Sequence, residues 1–238
     1  MATFVLVHGG GHGAWCWERL TPLLAGHELF VPTLSGVGER AAELTAQTTL
    51  STHVDEVAAL ILAEDLRHVI LVGHSYGCMV NTGVADRVPD RIVELVFLDG
   101  PQPRSGQSLI DASPGAGPAL EWQKQTVDGV ELVLFPTPEI IGLFGLVEPE
   151  DIAWAQPLLT PHPLRTFQER LQLADESAVD ALPRTSIDCP DRHAARIGEL
   201  PPPGAGRHRK ELIETGHDLM ITTPRQLADL LLDIAARI

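Results

Sequence analysis

The sequence predicts an α/β fold, a doubly wound and mostly parallel sheet of about six strands with a helical cap inserted into it. Three observations predict it. Short apolar runs alternate with helical patterns through the first hundred residues. One of those runs, His68-Val-Ile-Leu-Val-Gly73, is continuously apolar, as expected of a strand covered on both faces. The alternation then stops at Pro101 and returns only after Pro183. The expected division is therefore a core of residues 1–100 and 184–238 with a cap of residues 101–183.

Phe4 to Val7 reads as the first strand, ending at His8 and a run of glycines. Trp15 to Ala25 reads as a helix stopped by Gly26, and Leu29 to Val31 as a second short strand. A long polar connection from Pro32 to Ser51 comes next. Thr52 is the expected cap of a helix that carries Val54, Val57, Leu60, Ile61 and Leu62 at helical spacing, with Asp55 and Glu56 in its first turn. After the apolar strand at His68–Gly73, a helix runs from near Tyr76 to about Arg87, and Ile92 to Leu98 forms a further buried strand ending at Asp99-Gly100. Right-handed crossovers of this kind give a parallel sheet.

The segment from Pro101 to Pro183 is rich in proline, glycine, leucine and helical fragments, with Trp122, Phe135, Phe144 and Trp154 spread along it. Weaker strand patterns return at Thr185 to Cys189 and at Lys210 to Ile213. A last helix starts at Thr223-Pro224, with threonine as cap, proline at the first helical position and Gln226 completing a capping box.

The 238 residues, 44% hydrophobic and 21% charged, have the composition of an ordinary globular domain. A net charge of −15 offers no basic stripe to neutralise phosphates, so nucleic acid is not an expected partner. Cys16, Cys78 and Cys189 lack metal-ligand spacing and read as reduced apolar fillers. No basic stretch precedes the first apolar run, and no run approaches the ~20 residues of a membrane span. The expectation is a cytoplasmic protein without a membrane partner, and a homodimer is left open. Lys124 and Lys210 are the only lysines among 17 basic residues, a bias that suggests a GC-rich bacterial genome.

Gly73-His74-Ser75-Tyr76-Gly77 fits G-x-S-x-G between a strand and a helix, the context in which such a turn lifts a nucleophilic serine above the sheet. A serine in any glycine-rich turn is the bland alternative, and the flanking strand and helix weigh against it. His8-Gly9-Gly10-Gly11 comes after the first strand, where an oxyanion hole borrows a backbone N–H, so the hole is assigned to Gly10 and Tyr76. A phosphate-cradling loop fits less well, because the dinucleotide glycine pattern and the P-loop lysine are missing. His8 is expected to organise this loop.

A serine hydroxyl needs a base, and the chain has 10 histidines. His217 stands between the last short strand and the last helix, where the base comes after the serine and acid in chain order. His12, His74 and His162 are expected near a pocket, and His27, His53, His68, His193 and His208 at the surface or in turns. Two aspartates compete as the acid, both at strand ends: Asp99, after the stronger strand, is favoured, and Asp191 is the alternative.

Together these motifs resemble the plant methylesterase and hydroxynitrile lyase branch of the α/β-hydrolases, and more closely its bacterial esterase relatives. The resemblance rests on Phe4 to Trp17, Gly36-Val-Gly-Glu-Arg40, the turn from Gly73 to Gly77, Leu159-Thr-Pro-His-Pro-Leu164 and Gly216-His-Asp-Leu-Met220. It implies a serine, histidine and aspartate triad, an oxyanion hole at Gly10 and Tyr76, no cofactor or metal, and a small hydrophobic ester substrate under a cap. The sequence departs from the plant pattern where Pro190 and Asp191 come after Cys189 one residue early. The lyases place a lysine beside the catalytic histidine, and here Asp218 and Leu219 stand after His217, which disfavours lyase activity. The expected activity is hydrolysis of an ester, thioester or lactone. The alternatives are a lyase or tailoring enzyme on the same fold and a ligand sensor with little turnover.

Overall fold

The computed structural model describes residues 1–113, 115–135, 141–142, 144–190 and 208–238. The apolar run that dominates the sequence becomes β3 (Val69–His74), buried at every position. Its neighbours are β1 (Thr3–Val7) and β4 (Ile92–Leu98), both parallel to it. With β2 (Glu28–Phe30), β8 (Arg184–Asp188) and β9 (His208–Leu212) they form a six-stranded sheet in the order β2-β1-β3-β4-β8-β9, parallel throughout. The chain winds outward from β1 to β2 and then crosses back to β3, so the order reverses between β1 and β3. Open parallel sheets gather their ligands at the strand C-termini beside such a reversal. The glycine loop after β1 and Ser75 after β3 both lie there.

Helix α2 (Gly77–Arg87) packs on this sheet, and α1 (Leu50–Ala63) packs against α2. The cap of α1 is Thr49 rather than Thr52: its hydroxyl accepts from the Thr52 N–H, and the Thr52 side chain answers to the Thr49 N–H. The helix expected over Trp15–Ala25 is instead two 3-10 turns, Ala14–Trp17 and Thr21–Leu24. Trp15, Cys16 and Trp17 are all buried, which a single face of an α-helix cannot do for consecutive residues, and Pro22, with no N–H to donate, opens a separate second turn. The last helix, α9 (Pro224–Ala235), has its proline in the first turn, but the capping box is absent. The short helix α8 (Leu219–Thr222) runs directly into it, and the Thr223 hydroxyl donates to the Leu219 carbonyl instead.

Between β4 and β8 lie short helices, α3 (Leu109–Ala112), α4 (Ala116–Trp122), α5 (Pro149–Ala155), α6 (Leu164–Gln168) and α7 (Glu176–Ala181). They share the segment with a three-stranded antiparallel sheet of β5 (Lys124–Val127), β6 (Val130–Val133) and β7 (His162–Pro163), which the expectation of helical fragments did not include. Asp128 and Gly129, both at positive φ, make the two-residue turn of its hairpin. Asp-Gly between two such runs is the signal that could have found it.

Close packing explains the glycines around Ser75. A Cβ on Gly73 would stand 2.6 Å from both the Gly77 carbonyl oxygen and Asn81 Nδ2, and one on Gly77 would stand 2.5 Å from the Val7 carbonyl oxygen. Gly73→Ala should therefore lower stability by about 1–3 kcal/mol through overpacking. Thermal unfolding of the variant checks this, and an unchanged midpoint would contradict it.

Candidate active site

Ser75 sits between β3 and α2 with φ of 53°, a left-handed conformation that L residues enter only at a cost. Neighbours hold it there. The Ser75 N–H donates to the Leu98 carbonyl at 3.0 Å, and the Ser75 carbonyl accepts from the Cys78 N–H at 3.0 Å. Its side chain is half-buried, and Tyr76 comes next in helical conformation as the N-cap of α2. Gly9 approaches this turn so closely that a Cβ on it would lie 3.1 Å from Ser75 Cβ and 2.8 Å from His74 Nδ1.

Asp99 leaves the end of β4 with φ of 43° and is fully buried. Its N–H donates to the Ile187 carbonyl at 2.9 Å, and its Oδ1 accepts from the Cys189 N–H at 3.1 Å. Oδ2 lies 2.5 Å from His217 Nδ1. Facing a carboxylate, Nδ1 carries a proton, and Nε2 is the ring nitrogen turned away from Asp99. Asp191 and His193 lie outside the described residues.

The His217 ring lies 4.5 Å from that of His74, centroid to centroid. His74 Nε2–H donates to the His217 carbonyl at 3.0 Å, while its Nδ1 is buried without a hydrogen bond. Burial and the neighbouring His217 push the His74 pKa well below its ordinary value. His74, His217 and Asp218 bring ligand-type atoms within 4.8 Å of one another, the spacing nearest to a metal site among the described residues. Of these atoms His74 Nε2–H is engaged with the His217 carbonyl and Asp218 Oδ2 with His12 Nε2 at 3.1 Å, while His74 Nδ1 and Asp218 Oδ1 make no hydrogen bond.

Several histidines expected at separate places converge on the glycine loop. His8 Nδ1–H donates to the Gly9 carbonyl at 2.8 Å and its Nε2 accepts from the Leu34 N–H, so it organises the loop as a neutral ring; burial pushes it down to about 3. His12 Nδ1–H donates to the Gly10 carbonyl at 2.8 Å. His162, from β7, accepts the Gly11 N–H at 3.1 Å on Nδ1 and donates from Nε2 to Thr166. His53, expected at the surface, is fully buried because it bridges Tyr76 and Ser35: Nδ1 accepts from the Tyr76 hydroxyl and Nε2–H donates to the Ser35 carbonyl. Its helical spacing from Val57 and Ile61 on the buried face of α1 was the signal for its burial, whereas its two partners come from other elements and left none.

The rings of Phe167 and Phe135 lie over the same loop. A Cβ on Gly10 would stand 2.8 Å from Phe167, and one on Gly11, at φ of 75°, would stand 2.8 Å from Phe135. Phe135 stacks on Phe144, which is tilted toward His217 at 6.0 Å.

The buried rings give the protein a definite pH response. Burial holds His8, His53, His74 and His162 below their ordinary value of 6.5, so between 6.5 and those lower values the unfolded chain binds more protons. Stability then falls as pH falls, by at most ~1.4 kcal/mol per pH unit for each ring. His12 acts in the opposite sense. Burial, the largest single influence, would lower it, but the Asp218 carboxylate together with the Gly10 carbonyl raises it. Its contribution is fully present below 6.5 and is lost as pH rises through the raised value. Urea unfolding should show a lower midpoint at pH 5 than at pH 6.5, and a flat response would contradict the neutral-histidine assignment.

Comparison with known proteins finds relatives along nearly the whole chain. The profile of the alpha/beta hydrolase family matches residues 4–230. The carbendazim hydrolyzing esterase of Nocardioides sp. is 37% identical over 246 residues, 96% of this chain and 98% of that protein. Methylesterase 1 of Arabidopsis thaliana is 29% identical, covering 98% of this chain and 95% of its own length. Among solved structures, an Arabidopsis methylesterase superposes with a TM-score of 0.78 at 25% identity, covering 100% of both chains. Tomato methylketone synthase I, at 22% identity, TM-score 0.81 and 99% and 98% coverage, shares the fold. None of the described helices is long and apolar enough to cross a membrane. With its parallel six-stranded sheet, its serine turn after β3 and relatives matching over nearly its whole length, the chain belongs to the alpha/beta hydrolase family.

Proposed function

We propose that this protein hydrolyses small hydrophobic carboxylic esters through an acyl-enzyme on Ser75. The observation that carries the reading is the pairing of His217 Nδ1 with Asp99 Oδ2 at 2.5 Å, at the same sheet edge as a left-handed Ser75 turn. In this mechanism Ser75 Oγ attacks the ester carbonyl as His217 Nε2 takes its proton. Asp99 holds the Nδ1–H tautomer and stabilises the imidazolium that forms. The N–H groups of Gly10 and Tyr76 receive the oxyanion. His217 then returns the proton to the departing alcohol, and water, activated by the same ring, releases the acid.

Asp99 is the acid in this reading because of that contact, and the second aspartate considered, Asp191, has no assigned part. The aromatic rings over Gly10 and Gly11 support a hydrophobic acyl or alcohol group, since polar substituents there would lose water without gaining partners. Thioesters and lactones present the same carbonyl to the same groups. The esterase names of the relatives point in the same direction.

Hydrolysis of a p-nitrophenyl ester series tests the proposal. Ser75→Ala and Asp99→Asn should each lower kcat by about 10⁴-fold or more, and Asp191→Asn should stay within about threefold of wild type, an effect of under ~1 kcal/mol. Full turnover by purified Ser75→Ala would refute the acyl-enzyme, and a collapse confined to Asp191→Asn would reassign the acid.

A further inference from the structure

Asp218 stands directly after the proposed base, is fully buried, and takes no part in the mechanism above. Its Oδ2 lies 3.1 Å from His12 Nε2, and its Oδ1 has no hydrogen-bond partner, with His74 Nε2 at 3.7 Å. His12, 1% exposed, faces an acceptor on each side: the Gly10 carbonyl at Nδ1 and the Asp218 carboxylate at Nε2. Only an imidazolium donates from both nitrogens to two such acceptors. One buried ion pair thus joins the glycine loop after β1 to the loop that carries His217.

The peptide geometry of the glycine loop gives this link a purpose. In a trans peptide the C=O and the next N–H point in opposite directions. The Gly9 carbonyl is taken by His8 Nδ1–H, which turns the Gly10 N–H the other way. The next peptide is held at both ends, its Gly10 carbonyl by His12 and its Gly11 N–H by His162. Of these histidines, His12 also contacts the base loop, through Asp218.

We propose that His12 and Asp218 form a positioning pair, which holds the oxyanion-loop peptides and the His217 loop as one hydrogen-bonded unit and sets the charge environment of His217. The inference rests on the acyl-transfer reading, in which Gly10 N–H and His217 act on the substrate. Intact, the pair is neutral overall. Without His12 the Asp218 carboxylate stands uncompensated close to the base, because an Asp218 carboxylate oxygen lies within 4.8 Å of a His217 ring nitrogen; without Asp218 the buried His12 gives up its proton and that negative charge is gone. Among the described residues, the other titratable groups facing His217 are Asp99 from the end of β4 and His74 from the end of β3; Cys16, whose thiol burial keeps protonated, feels the Asp218 charge from the first 3-10 turn. Among the described residues of the segment between β4 and β8, Phe144 lies against the ring, and it carries no charge.

The test is the acid limb of kcat/KM against pH, which reports the base in the free enzyme. His12→Gln strands the Asp218 carboxylate and should move that limb up by about one pH unit. Asp218→Asn removes the carboxylate and should move it down. The double variant, with no charge at either position, should lie within about 0.3 unit of Asp218→Asn and below His12→Gln, with the loss in each variant falling on kcat rather than KM. Damage to the fold alone would move both single variants in the same direction, or lower activity without moving the limb, and either result overturns the pair. If His12→Gln does not fold, Asp218→Asn carries the test, and an unmoved limb there overturns it. Ser75-dependent hydrolysis with an unmoved limb strikes the pair only. Hydrolysis that survives Ser75→Ala strikes the acyl-transfer reading and the pair with it.

Discussion

A serine held at φ of 53° costs about 1–3 kcal/mol relative to ordinary backbone, and the surrounding structure has to over-determine it. Here that is done by close approach on every side. Gly77 leaves room for the backbone at the end of β1 and Gly73 for the Gly77 carbonyl, the Leu98 carbonyl takes the serine N–H, and Gly9 lies against the turn from above. Each of these neighbours also sits in the reacting region. The residues that force the turn therefore bring the glycine loop, the end of β4 and Ser75 to one edge of the sheet.

The electrostatics of that edge derive from burial. Imidazoles out of water stay neutral unless a carboxylate compensates them. Among the described residues, His8, His53, His74 and His162 have no such partner at hydrogen-bonding distance, and each is settled as a donor on one nitrogen and, apart from His74, as an acceptor on the other. His12 and His217 each face a buried aspartate. The same residue type thus serves as scaffold, counter-ion and proposed base, and the difference lies in which groups the fold sets beside each ring.

The segment between β4 and β8 reaches both reacting loops. Thr160 N–H donates to the Gly11 carbonyl at 2.9 Å and His162 accepts from the Gly11 N–H, while the Asp218 N–H donates to the Phe144 carbonyl at 2.9 Å. Gly145 and Gly216 touch so closely that a Cβ on Gly145 would stand 2.4 Å from Gly216 Cα. The segment is thereby part of the frame that orients the site as well as a cover that brings apolar rings to it.

Much of this was legible in the sequence by itself, because the signals are local. Continuous apolar runs mark strands buried on both faces, which is why β1, β3 and β4 were found within a residue or so of their bounds. The serine turn was legible for the same reason: its steric demand falls on glycines two residues either side. Local signals failed where burial outweighed them. Consecutive burial of Trp15, Cys16 and Trp17 replaced a helix by 3-10 turns, and the continuity of α8 with α9 removed a capping box. Tertiary structure alone could decide which aspartate meets His217, since Asp99 is 118 residues away along the chain, and which groups meet His12 and His53. Hydrogen bonds across the ends of separate strands leave no period in a sequence, because the sheet order, and not the chain order, makes those residues neighbours.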